Sequence, residues 1–322
     1  MTLIPNEFVN RLMLCDCVDG MRQLPDGCVP MTLTSPPYDR LRTYHGHSEF
    51  DFEAVAKELW RITMNGGVVV WIVADGIVGG DQSGTSFQQC LRFKELGFKL
   101  HNTIVLAKSG SHCPSKVRYG TTPEFAFVFV KGKLQYVNLI KDQPNKGAGR
   151  IGKFNNRRPD GRMTPMVCKT IPPWRVRPLV WEYCTGFGHT TLDKFALEQT
   201  ALMPERVAED MIRSFSRPGE LVFDPFAGAA TVSKMALLSN RRYLGMEIDK
   251  VSFRLAELRI QMARVEHRRR LDEELGITPT CSPAHAAFGC KLIELPTDPD
   301  GGSNNGPCSC PSRGRGKSAV SA

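Results

Sequence analysis

Apolar residues along this chain follow two different periods. In DFEAVAKELWRITMNGGVVVWIVA, residues 51–74, Phe52, Val55, Leu59 and Ile62 recur three or four positions apart, as on one helix face. Gly66 and Gly67 end that helix, and Val68 to Val73 is an apolar run of strand length. Residues 86–93 predict a helix stopping near Gly97, Phe98 to Ala107 a strand, and Glu124 to Val130 another. In the second half, residues 204–216 predict a helix with proline in its first turn. Leu221 to Asp224 follows as a strand, 230–238 as a helix, Arg242 to Ile248 as a strand and Ser252 to Arg270 as a helix. Strands alternating with helices predict a mostly parallel sheet covered on both faces.

Two segments break this rhythm. Between Lys131 and Lys194 apolar periodicity is sparse, and thirteen Lys or Arg stand against four Asp or Glu. The densest part is GAGRIGKFNNRRPDGRM, 147–163. A solvated basic loop is one reading. A nucleic-acid-binding insertion is the other, with Arg157 and Arg158 free for phosphates or guanine edges. Phe154, Trp174 and Trp181 either pack inside this segment or touch bases. From Gly276 the pattern stops, and the Pro-, Gly-, Ser- and Asn-rich 276–322 reads as a disordered tail.

Composition narrows the class. A chain of 322 residues holds one large α/β domain with a smaller insertion. No apolar run approaches the ~18 residues of a membrane span, and the N-terminal residues show no secretory pattern, so a cytoplasmic protein without membrane contact is expected. The eleven cysteines are scattered, with no CxxC pair. Cys281, Cys290, Cys308 and Cys310 with His285 fit no common zinc spacing, so no metal is expected. A net charge of +9 favours a polyanionic partner.

Three short motifs carry chemistry. TSPPY, 34–38, puts tandem prolines directly after the strand-like MTLT, 31–34. Prolines cannot continue a central strand, so the chain stiffens at the strand tip. VFDPFAGAAT, 222–231, is a strand ending in an acid, then a small-residue turn opening a helix, which lets a ligand approach the backbone. It has neither GxGxxG nor a Walker lysine, so it suits an adenosine without a pyrophosphate, such as S-adenosyl-L-methionine. YLGMEIDK follows, with Glu247 near a strand end where an acid can grip both ribose hydroxyls.

With these motifs the chain resembles, from residue 11 to about 265, the amino-group DNA methyltransferases of the permuted β class, which methylate cytosine N4 or adenine N6. TSPPY matches that family's catalytic tetrapeptide with its preceding residue, DPFAGAAT its cofactor loop and GMEID its ribose-binding strand end. LCDCVDGMRQLPDGCV, 14–29, resembles a further family stretch in which Asp16 lies near the adenine, and VWEYCTG, 180–186, another just before the cofactor-closing segment. Two departures stand out. Ala230 replaces the family's second turn glycine, a change an open turn absorbs, and Gln199-Thr200 replaces its histidine-proline pair.

The resemblance implies a Rossmann-like class I methyltransferase in circularly permuted order, a seven-stranded mixed sheet with helices on both faces. Residues 1–130 are then the catalytic half, 131–194 the target-recognition insertion and 195–275 the S-adenosylmethionine-binding half. It implies catalysis by Ser35, Pro36, Pro37 and Tyr38, and cofactor contacts at Asp16, Thr34, Asp224, Pro225, Phe226, Gly228 and Glu247. Double-stranded DNA is the partner, with Arg40, Arg42, Arg157 and Arg158 as contacts. A cognate restriction endonuclease is a candidate companion, and the chain is expected as monomer or dimer. The chemistry asks for two fixed acceptors on the amine of a base flipped from the duplex. The Ser35 hydroxyl and the Pro36 carbonyl supply them, and Tyr38 stacks on the base. In the family, serine before Pro-Pro leans to cytosine N4, though adenine N6 offers the same two hydrogens. RNA or protein substrates, and a DNA-binding module without turnover, are the competing readings. Asp39 and Asp75 are candidate second acids near the amine or the methionine, or solvated strand-end acids. Pro307-Cys308, the pair a carbon-5 mechanism would need, follows no strand.

Overall fold

The structure is a computed structural model, and it describes residues 3–37, 50–109, 117, 119, 123–186, 188–198 and 202–277. The chain divides into two units, Met1–Gly276 and Ile277–Ala322. Of the second only Ile277 is described, so the expectation of disorder there lies outside the described residues, as do the tail cysteines.

In chain order the elements are β1 (Arg11–Leu14), α1 (Cys17–Arg22), β2 (Val29–Thr34), α2 (Phe52–Ile62), β3 (Thr63–Val73), β4 (Ile77–Val78), β5 (Asp81–Gln82), α3 (Thr85–Glu95), β6 (Lys99–Ser109) and β7 (Glu124–Val130). There follow β8 (Lys141–Pro144), β9 (Ile151–Phe154), β10 (Val167–Thr170), β11 (Trp174–Val176), β12 (Val180–Cys184), α4 (Glu205–Phe215), β13 (Leu221–Asp224), α5 (Thr231–Leu238), β14 (Arg242–Glu247) and α6 (Lys250–Glu274). Eight strands form one sheet in the order β1-β14-β13-β2-β3-β7-β6-β12. Every neighbouring pair is parallel except those of β7, which runs against both β3 and β6.

The continuous apolar run of β3 follows from burial on both sides. Val68, Val70 and Ile72 join a core with α4, α5 and α6. Val69, Trp71 and Val73 join the opposite core with α1, α2 and α3. Alternate residues of one strand thus feed two cores, and no polar face remains to show an alternation. Asp51 caps α2 by accepting from Ala54 N, and Asp249 caps α6 through Ser252 N. Among the described residues, no helix is long and apolar enough to cross a membrane.

The sheet has eight strands where seven were expected. The extra one is β12, which pairs parallel with β6 although it lies inside the basic segment 131–194. Trp181 and Tyr183 point inward and are buried, while Val180, Glu182 and Cys184 are exposed. Only two inward residues, between Pro178 and Gly186, are too short a pattern to separate from loop. Trp181 is therefore a core residue, while Phe154 and Trp174 are exposed. Arg177 bolts the base of the segment to the body, donating to Asp142, Asp210 and the Tyr183 hydroxyl. Beyond that base two antiparallel ribbons project, β8–β11 and β9–β10.

Candidate active site

The carboxyl ends of β2, β13 and β14 bring the three motifs together. Thr34 closes β2 and Asp224 closes its neighbour β13, and Thr34 Oγ1 donates to Asp224 Oδ1 at 2.7 Å. Phe226 N donates to the same oxygen at 3.0 Å, which folds the DPFAGAAT turn back over its own acid. Burial, with repulsion from Glu247, pushes the Asp224 carboxyl up to about 7, against the pull of those two hydrogen bonds.

Glu247 ends β14. Its Oε2 accepts from Gly228 N at 2.7 Å and its Oε1 from Asp249 N at 2.8 Å. Burial and then Asp249 raise its carboxyl, while the Asp249 and Gly228 amides lower it. With one amide on each oxygen, further lone pairs remain for a ligand. A cavity of about 160 Å³ opens at this edge. Ser35, Pro37, Leu106, Lys108, Glu124 and Tyr183 line it, together with Phe226, Ala227, Gly228, Glu247 and Ile248. Lys108 and Glu124 form an ion pair there.

The sequence-derived candidates separate on this geometry. Ser35, Pro37, Asp224, Phe226, Gly228 and Glu247 all line the cavity. Pro36 and Pro225 are buried beside it without lining it. Thr34 is a correction: its hydroxyl is buried and engaged by Asp224, so it orients the acid instead of facing a ligand. Asp16 is another. It is exposed, does not line the cavity and caps α1 by accepting from Val18 N and Asp19 N. Asp75 is buried and accepts from the backbone and hydroxyl of Ser86, which makes it an anchor for α3. Tyr38, Asp39, Arg40 and Arg42 lie outside the described residues, as do Gln199 and Thr200. Arg157 and Arg158 are exposed between β9 and β10, far along the chain from this edge.

Ala230 is the third correction. It sits at φ 57°, fully buried, immediately before α5. An L-residue in the left-handed region costs roughly 1–2 kcal/mol, so the turn holds this change under strain instead of absorbing it. Sequence reading also missed Ile248, Leu202, Met203 and Tyr183, all lining the cavity. For Ile248 a signal existed: an apolar residue directly after a strand-end acid, half exposed.

A donor with a ribose, an adenine and an amino-acid end needs acceptors for hydroxyls and an ammonium, plus an apolar slot. Glu247, the buried Asp224, Ile248 and Phe226 supply these, so the residues present fit S-adenosylmethionine. Among the described residues no group of His, Cys, Asp or Glu is arranged to hold a metal ion.

A mostly parallel sheet with one reversed strand next to the penultimate position, and acids at adjacent strand ends, defines a Rossmann-like methyltransferase fold. Comparison with known proteins agrees. The DNA methylase family model, of the N6/N4 type, matches residues 29–258, which include the TSPP and DPFAGAAT motifs. The orphan methyltransferase M.BamHII of Bacillus amyloliquefaciens is 43% identical over 248 residues, covering 76% of this chain and 93% of that protein. The PvuII DNA methyltransferase (cytosine-N4-specific) has the same fold, with a TM-score of 0.57 and 17% identity over 81% of this chain and 92% of its own. A DNA modification methylase of Thermus thermophilus, complexed with S-adenosyl-L-methionine, superposes at TM-score 0.50 and 23% identity over 79% of this chain and 96% of its own. The chain belongs to the N6/N4 DNA methylase family. It is a DNA methyltransferase, and the residues of its cavity fit S-adenosyl-L-methionine as the methyl donor.

Proposed function

We propose that the chain methylates the exocyclic N4 of cytosine in double-stranded DNA, on a base flipped into the Ser35 side of the cavity. The observation that carries this reading is Ser35 itself, a neutral hydroxyl directly after β2 that lines the same cavity as the buried Asp224. The bound cofactor supplies an electrophilic methyl group on a sulfonium. The protein's part is to prepare the amine. Ser35 Oγ accepts one amine hydrogen and the Pro36 carbonyl the other, which favours a tetrahedral nitrogen and steadies its developing positive charge. Pro36 and Pro37 have restricted φ, so the acceptors are aimed before the base arrives. Glu247 takes the ribose hydroxyls, and Asp224, steered by Thr34, faces the cofactor's polar end. Residues 131–194 form the target-recognition part, with Arg157 and Arg158 on the DNA. The 43% identical relative is an orphan methyltransferase, which supports action without a paired endonuclease.

Labelled methyl transfer to DNA, RNA and protein, followed by mass identification of the nucleoside, tests this directly. N4-methylcytosine is expected. N6-methyladenine alone overturns the choice of base, and DNA binding without transfer overturns the enzyme reading. Ser35→Ala should lower the transfer rate roughly 10–1,000-fold, the scale for one transition-state hydrogen bond, with cofactor affinity unchanged.

A further inference from the structure

Arg259 is fully buried in the middle of α6 and lines no part of the cofactor cavity. A buried guanidinium needs partners for every donor, and Arg259 has them. Two lie on the cofactor turn: Nη1 donates to the Ala229 carbonyl at 2.9 Å and to Thr231 Oγ1 at 2.8 Å. Three lie on the stretch ahead of and entering α4: Nη2 donates to Thr191 Oγ1 at 3.1 Å and Glu205 Oε1 at 2.5 Å, and Nε to Asp193 Oδ2 at 2.7 Å. Lys234, on α5, bonds the same two carboxylates, each at 2.7 Å.

What these two groups of partners share is the cavity. Ala229 and Thr231 line it from the turn. Leu202, Met203, Pro204 and Val207, flanking Glu205, line it from the other wall. The planar fork of Arg259, with Lys234 beside it, therefore ties together two stretches of chain that both line the cavity. The strained Ala230 lies between the two turn groups that Arg259 holds, so the fork also opposes relaxation of that φ 57° residue.

We propose that Arg259 is a positioning residue for the cofactor: it sets the separation of the turn and the α4 wall, and so governs cofactor affinity without taking part in methyl transfer. Lysine cannot replace it, because a point charge cannot reach both walls in the fork geometry. The inference rests on the cavity being the cofactor site.

The test uses the full chain and S-adenosylhomocysteine, the product form of the cofactor. Arg259→Lys should bind it about 10–30-fold more weakly, while the single-turnover transfer rate at saturating cofactor stays within about threefold. Glu205→Gln takes the charge from one of the three partners on the α4 side and leaves Thr191, Asp193 and Ala229 held, so it should weaken binding by about threefold. In the double variant the loss should match that of Arg259→Lys alone, because both act through one connection. Glu205→Gln keeps Arg259 in place, so it remains informative if Arg259→Lys does not fold. Unchanged affinity in both folded variants, with a lower melting temperature, makes the network structural only and overturns the inference. A fall in saturated transfer rate larger than the fall in affinity overturns it too. A wild-type chain that binds no S-adenosylhomocysteine instead refutes the reading of the site.

Discussion

Replacing Arg157 and Arg158 together by alanine removes two cations that the fold itself does not use. Seven arginines of the body hold carboxylates: Arg61, Arg92, Arg177, Arg217, Arg259, Arg269 and Arg270. Between residues 150 and 169 the pattern reverses. Arg150, Lys153, Arg157, Arg158, Arg162 and Lys169 are exposed and make no ion pair among the described residues, and their one acidic neighbour, Asp160, caps the turn through Arg162 N. Cations left without partners on an exposed ribbon are suited to phosphates. Each phosphate neutralised contributes about 0.9 to the slope of log affinity against log salt, so two lost contacts should flatten that slope by about 1.8. Over a fourfold change in salt the variant's penalty should therefore shrink by a factor of about 12. Fluorescence anisotropy on a duplex containing the methylated site, with S-adenosylhomocysteine present, measures this across salt concentrations. The melting temperature should not move, since neither side chain packs on the body. An unchanged slope shows that these arginines do not meet the backbone. A loss confined to the specific site, at constant slope, shows that they read base edges instead.

The buried Asp224 predicts a pH dependence. Its carboxyl is raised from an ordinary 3.8 to about 7, so the stability it contributes is fully present below about pH 3.8 and lost as pH rises through 7. Asp224→Asn, which cannot ionise, should gain stability relative to wild type as pH rises from about 3.8 to about 7 in urea unfolding, with the difference constant above that, and parallel curves across this window would refute the placement of this charge. Cofactor binding should in turn strengthen as pH rises through about 7, because the ionised acid is the better acceptor. Glu247→Ala should weaken S-adenosylhomocysteine binding by roughly 10–100-fold, the loss of one charge-assisted hydrogen bond of about 1.5–3 kcal/mol; calorimetry giving wild-type affinity would take Glu247 out of the site.

Local chemistry made much of this protein readable from its residues. The Pro-Pro pair at 36–37 stops a strand, and the acid of VFDP ends one, so the positions of Ser35, Asp224 and Glu247 at the carboxyl edge of the sheet are legible from residue type and neighbours. What failed was whatever depended on partners distant in sequence or on backbone geometry. Thr34 reads as a ligand contact until its hydroxyl is seen on Asp224, 190 positions away. Asp16 reads the same way until it is seen capping the helix that starts at the next residue. Trp181 looked like part of a basic loop because the strand that buries it, β6, lies far upstream. Ala230 looked tolerable because a sequence does not display φ. Arg259 gave no signal at all: in a helix containing ELRIQMARVEHRRR, one buried arginine is indistinguishable from its solvated neighbours.

The order of the halves has a physical consequence for how the site comes into being. β2, which carries Ser35 at its end, pairs with β3 on one side and with β13 on the other. β13 belongs to the last third of the chain, and β14 beside it pairs with β1 near the N-terminus. The second half is therefore flanked in the sheet by strands of the first, and neither half has a closed edge alone. The amine acceptors and the cofactor acids meet only through these long-range pairings. Such pairings form slowly, because the entropy of closing a long loop is lost before any strand pairing can offset it. The Thr34–Asp224 bond lies across that junction, on adjacent strands. It couples completion of the sheet to orientation of the acid, so a chain with β2 and β13 out of register would lack both the cofactor wall and the aimed serine. Catalytic competence and the correct central pairing are thus one structural event in this fold.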